Sequence, residues 1–300
     1  MNRLDPSARS RDAAATSDET LDGERFPVVH HSVSLQLYSV RDALEADPVG
    51  TIDRVAALGF TAVESGFKAL TAHPELVDAI HRNDLATPTM TSPLFRVADR
   101  EAVWALAKRL GAHTVVETFI PEEHWTSVED VDAIAAELNA SAAEAAAHGL
   151  RVGYHNHWWE LETRFDGVQA MELLIDRLVP EVILEIDAYW VAVGGEDAVA
   201  FVGRHADRIR YLHLKDGPID RENTHQRPAG TGSMPIRELI AAATSLEGVV
   251  VEFDAYDGDV FAASEQSRLY LTGIVGGSVE TGSVETGAVE TGTVETGANA

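Results

Sequence analysis

The chain has 300 residues, 45% of them hydrophobic, enough for a sizeable core and a good match to one α/β barrel of about 250 residues. Its 49 acidic and 23 basic side chains give a net charge of -26, the wrong sign for holding a phosphate backbone, which argues against a nucleic-acid partner. The absence of cysteine removes disulfides, thiolate nucleophiles and thiolate metal sites, leaving histidine and carboxylate as the strong ligands.

Lys68, Lys108 and Lys215 are the only lysines; every other basic residue is arginine. High acidity with so little lysine is the surface expected of a halophilic protein, whose self-repulsion is screened by concentrated salt. An ordinary acidic soluble protein is the alternative. No apolar run approaches the roughly 20 residues of a membrane span, so no membrane partner is expected. The first residues are polar and lack an apolar signal core, and a cytoplasmic location is the expectation.

In chain order, residues 1–30 are rich in Asp, Ala, Ser and Thr without periodicity and are expected to form a disordered acidic arm. Residues 31–275 alternate short apolar runs with longer amphipathic stretches. The expected strands are Ser34–Tyr38, Ala62–Glu64, Ala86–Met90, Thr114–Glu117, Arg151–His155, Val182–Asp187, Arg210–Leu214 and Val249–Glu252. Their richness in Val, Ile and Leu suits strands buried on both faces. Expected helices include Thr51–Leu58 ending at Gly59, Ala102–Leu110 at Gly111, Val131–His148 at Gly149 and Val168–Val179 at Pro180. Strand then helix, at about 30 residues per unit, predicts a (β/α)8 TIM barrel. An open doubly wound sheet is disfavoured, because Tyr38-Ser39-Val40-Arg41-Asp42 after the first strand has no phosphate-binding glycine. Residues 276–300 repeat a Val-Glu-Thr-Gly unit and are expected to be a low-complexity tail with no catalytic role.

In such a barrel the chemistry sits at the C-terminal strand ends. Those ends carry Gln36, Tyr38, Glu64, Glu117, His155, His157, Asp187, His213, Lys215 and Glu252. So many carboxylates in one desolvated mouth repel one another unless a cation joins them. Asp187, His213 and Glu252 on the last three strands are the expected ligands of one divalent metal ion, with Mn2+, Mg2+, Co2+ and Zn2+ all compatible. The fifth strand offers His155 or, just beyond it, Glu160 as the fourth ligand, and His155 is preferred for its terminal position. His157, Glu252 and Lys215 are the expected catalytic groups. Gln36, Tyr38 and Glu64, with the aromatic Trp158 and Trp190, are the expected substrate-binding side chains, aromatic faces being able to stack on a sugar ring.

The motifs Leu35-Gln36-Leu37-Tyr38-Ser39, Leu58-Gly59-Phe60, Tyr154-His155-Asn156-His157, Glu185-Ile186-Asp187-Ala188-Tyr189-Trp190, Leu212-His213-Leu214-Lys215-Asp216 and Val251-Glu252-Phe253-Asp254 carry a resemblance. Over about residues 33–273 the chain resembles the sugar phosphate isomerase/epimerase family, with its xylose isomerase-like barrel. The resemblance implies one divalent metal and isomerisation, epimerisation, dehydration or lyase chemistry on a small keto-sugar, sugar phosphate or cyclitol. Ketose 3-epimerases of that superfamily carry a glutamate where this chain has His155, and a histidine near the place of Trp190, so the resemblance does not extend to their two-glutamate proton exchange. The His-Asn-His and Asp-Ala-Tyr-Trp runs look more like the inosose dehydratase and 3-keto-glycoside-acting branch. An endonuclease IV-like repair enzyme on the same barrel, and a non-catalytic sugar-binding barrel, are the alternatives. Barrels of this kind often pair, and a homodimer is an expected partner state.

Overall fold

The computed structural model describes residues 32–276. The expected N-terminal arm, and all but the first residue of the expected tail, lie outside the described residues.

Among the described residues ten strands occur: β1 (Ser32–Gln36), β2 (Ala62–Gly66), β3 (Thr89–Thr91), β4 (Thr114–Glu117), β5 (Arg151–His155), β6 (Arg164–Phe165), β7 (Val168–Gln169), β8 (Val182–Asp187), β9 (Ile209–His213) and β10 (Gly248–Val251). Eight of them close into a parallel barrel in the order β1-β10-β9-β8-β5-β4-β3-β2, with helices between successive strands. This is the expected (β/α)8 TIM barrel. β8 and β10 are buried along their whole length, which is why the sequence shows unbroken apolar runs there rather than alternation. Among the described residues no helix is long and apolar enough to cross a membrane.

Local chemistry accounts for the helix ends. Asp47, Asp99 and Ser127 each accept a hydrogen bond from a backbone N–H of the first turn, starting the helices Pro48–Ala57, Arg100–Leu110 and Val128–Ala147. Gly111 ends the second of these at φ 89°, where any Cβ would be strained.

Several expected boundaries need correction, among them the helices Thr51–Leu58 and Val131–His148, which begin three residues earlier at Pro48 and Val128. The first strand stops at Gln36, because the Gln36 side chain accepts from the Tyr38 N–H and turns Leu37–Val40 into a 3-10 helix. The third strand lies three residues beyond the start expected for it, with Ala86 making only an isolated bridge to Ala62. The expected helix Val168–Val179 is shorter, Ala170–Arg177. Its first two residues form β7, which pairs with β6 around Asp166-Gly167, both at positive φ as a two-residue Asp-Gly hairpin turn requires.

Candidate metal centre

Alternation along β8 turns Glu185 and Asp187 to the same side, and register pairs Asp187 with His213 of β9. The Asn156 side chain ties the end of β5 to this level, donating to the Asp187 carbonyl at 3.3 Å and accepting from the Asp187 N–H at 3.0 Å. Asp187 Oδ1 caps the following helix through the Trp190 N–H, 3.1 Å away, and leaves Oδ2 facing Lys215 Nζ at 2.7 Å and His155 Nε2 at 3.8 Å. Capping and convergence are thus two uses of one carboxylate. Glu252 follows β10 directly, with His213 Nδ1 2.8 Å from its Oε2.

His155, Asp187, His213 and Glu252 all come together here: each offers a donor atom, all within 4.8 Å of one another, and all four residues are buried. Donors about 2.2 Å from a shared ion stand at most about 4.4 Å apart, so a small closure completes a coordination shell. His155 Nδ1 is buried without a hydrogen-bond partner, its nearest carboxylate oxygen being Glu185 Oε1 at 3.4 Å, and Asp187 Oδ2 is met only by the Lys215 ammonium at 2.7 Å. Two imidazoles and two carboxylates, with one buried ring nitrogen left unpaired, fit a divalent ion of the Mn2+, Co2+ or Zn2+ type.

The electrostatics favour the same use. Burial, with His213 and His157 nearby, holds His155 well below the ordinary histidine value, so it stays in the neutral form that ligates metals. Burial would raise Glu252, but Lys215 and His213 outweigh it and hold that carboxyl well below its usual range. His213 behaves oppositely: burial is overcome by Glu185, Glu252 and Glu64, which draw a proton onto the ring. A bound cation would displace that proton from Nδ1.

Beneath this group lies a second layer. Glu64 Oε1 and Glu185 Oε1 each stand 3.1 Å from His213 Nε2, and Glu64 also accepts from Gln36 Nε2 and the Thr89 hydroxyl. Glu64, expected to contact substrate, is instead fully buried under the site and reaches it through His213. Glu185 was not singled out as a site residue, although its same-face spacing from Asp187 is the signal for it. Burial and the neighbouring Glu64 push its carboxyl up to about 8.

A cavity of about 720 Å³ opens above the group, and Gln36, Tyr38, His157, Trp158, Trp190 and Glu252 are on its wall. His157 lies flat on Trp159, ring centres 4.3 Å apart and planes 6° from parallel, and Phe119 meets it edge-on. Trp158 carries the Arg221 guanidinium 3.7 Å above its ring. Besides Glu64, two more expected site residues stand elsewhere. Glu160 is outside the converging group, because its carboxylate accepts from Tyr154 Oη at 2.8 Å and from the His157 N–H at 3.0 Å. Lys215 is off the cavity wall: its ammonium is drawn among Asp187 Oδ2, Glu252 Oε2 and Asp254 Oδ2 at 2.7, 2.9 and 2.7 Å.

Comparisons with known proteins agree with this architecture. An inosose dehydratase from Geobacillus thermodenitrificans is 34% identical over 107 residues, 34% of this chain and 32% of that protein. One from Salmonella typhimurium is 30% identical over 80 residues, 26% of each. The chain therefore spans about a third or less of these curated relatives. A sugar phosphate isomerase/epimerase structure from Parabacteroides distasonis superimposes with a TM-score of 0.67 at 21% identity, over 85% of this chain and 96% of that one, a likeness of fold. Residues 52–258 match the xylose isomerase-like TIM barrel family, and the chain belongs to that family.

Proposed function

We propose that the protein is a divalent-metal-dependent enzyme that removes a proton beside a carbonyl of a small keto-sugar or keto-cyclitol. The observation that carries this reading is the convergence of His155, Asp187, His213 and Glu252 at the floor of a cavity whose wall holds His157. A metal held by those four would act as a Lewis acid towards substrate oxygens.

His157 is the proposed base. Its Nδ1 is 3.8 Å from Glu160 Oε1, on the protein side, which leaves Nε2 to take the proton. Glu252 is the poorer base, since Lys215 and His213 keep it ionised and its lone pairs engaged. Trp159 and Phe119 restrict the His157 ring to one orientation, and Trp158 and Trp190 supply aromatic surface for the apolar face of a polyhydroxylated ring.

Proton removal leaves the C–H electron pair in an enediolate. A proton delivered to the same carbon from the other face gives epimerisation; delivered to the adjacent carbon, with loss of the hydroxyl proton from the carbon that becomes the new carbonyl, it gives isomerisation. Departure of a β-hydroxyl, taking up a proton as water, gives dehydration. The inosose dehydratase relatives favour the last outcome and a cyclitol-like substrate. The net charge of -26 disfavours an abasic-site nuclease, which needs a DNA-facing basic surface.

The test is incubation of Mn2+-loaded protein in D2O with a panel of keto-cyclitols and keto-sugars, read by mass spectrometry. Deuterium uptake or loss of water is expected with at least one member. Bound metal without exchange or turnover across the panel would refute the reading.

A further inference from the structure

Lys215 is fully buried and, with Lys68 and Lys108, one of three lysines in the chain. Two of its three carboxylate neighbours, Asp187 and Glu252, belong to the converging group; the third, Asp254, does not. Asp254 is itself held in place: its Oδ2 accepts from Gln226 Nε2 at 2.7 Å, and its N–H donates to Gln226 Oε1 at 2.8 Å. On the other side the Trp190 ring lies 5.3 Å from the ammonium. The cation cannot swing to water without leaving three buried or half-buried carboxylates uncompensated.

The charge count then becomes informative. Asp187 and Glu252 carry two negative charges, enough for one divalent ion by itself. Asp254 adds a third, which matches the ammonium. We propose that Lys215 and Asp254 form a fixed charge pair that sets how strongly Asp187 and Glu252 hold a divalent cation. Lys215 weakens the hold by repelling the ion and occupying one side of both ligands. Asp254 strengthens it by drawing the ammonium away from them. Both are positioning residues, and the inference rests on the metal reading above.

Opposite effects of the two substitutions are the signature, because a merely structural disturbance would weaken binding in both. Mn2+ affinity of the full chain would be measured by calorimetry for the wild type, Lys215→Met and Asp254→Asn. Lys215→Met should bind about tenfold more tightly and Asp254→Asn about tenfold more weakly, as expected for one unit charge gained or lost close to the ion. If Lys215→Met does not fold, the double variant K215M/D254N removes the pair with no change in net charge, and should bind more tightly than Asp254→Asn. Wild-type binding with both single variants unchanged, or both weakened, overturns the pairing and leaves the metal reading intact. A wild type that binds neither Mn2+ nor Zn2+ overturns both.

Discussion

His213 Nε2 stands 3.1 Å from Glu64 Oε1, a contact between residues 149 positions apart that reaches across the barrel interior from β9 to β2. The other ring nitrogen faces Glu252 and the converging group. One imidazole therefore links the metal-facing layer to a buried carboxylate layer below it, and a hydrogen bond of that kind fixes both tautomer and ring direction of a ligand.

The two carboxylates under His213 should differ in importance. Glu185 is pushed up to about 8 by burial and by Glu64, so of the two it takes up a proton more readily, and glutamine imitates that protonated form. Glu64 accepts from Gln36, Thr89 and His213, which glutamine cannot fully reproduce. Glu64→Gln should lower Mn2+ affinity by about 10- to 100-fold, and Glu185→Gln by far less. Calorimetric titration at neutral pH separates them, and equal losses would contradict the layered arrangement.

The proposed base gives a kinetic prediction. His157 is on the cavity wall but outside the converging group. His157→Asn should therefore lower kcat by about 100- to 10,000-fold, leaving Mn2+ affinity unchanged. Loss of metal binding along with activity would mean that His157 is a ligand.

How much of this was legible depends on the kind of signal. The barrel strands announce themselves through Val, Ile and Leu runs, and strand-end polar residues such as Asp187 and Glu252 follow from barrel topology. Side-chain caps are less visible: nothing in the period of Ser34–Tyr38 shows that Gln36 will bend the chain after it. The Asp166-Gly167 hairpin was readable from its turn chemistry, but the helical spacing of the residues after it masked the signal. Glu64 and Lys215 show the further difficulty. Both are polar and at strand ends, yet one is drawn beneath the site by His213 and the other behind it by three carboxylates. Such partners come from distant strands, and only packing brings them together.

Glu117 should impose a pH dependence on stability. Burial raises its carboxyl from 4.5 to about 7, only partly offset by the N–H groups of Phe119 and Phe95. Between these values the unfolded chain has lost a proton that the folded chain retains, so stability falls as pH rises through this window and then levels off. The loss is on the order of 3 kcal/mol. Glu117→Gln offers the backbone one acceptor fewer, a constant cost, but has no proton to lose. Urea unfolding from about pH 5 to about pH 8 should show the variant gaining on the wild type as pH rises. Parallel curves would mean that Glu117 ionises normally.

The opposite end of the barrel allows stability to be changed without touching the site. Arg151, the first residue of β5, places Nη1 and Nη2 2.7 and 2.6 Å from the two carboxylate oxygens of Glu247, next to the start of β10. Tyr211 Oη of β9 donates to the same carboxylate at 3.0 Å. A planar fork meeting both oxygens cannot be copied by a point-charged ammonium. The pair is about one-third exposed, which discounts its strength but does not remove it. Arg151→Met should cost about 1–3 kcal/mol, with Arg151→Lys recovering only part. Because these residues lie at the N-terminal strand ends, Mn2+ affinity should be unchanged in both variants. Chemical denaturation and calorimetry on the same samples check the separation, and a fall in metal affinity matching the loss of stability would show that the two ends of the barrel are coupled.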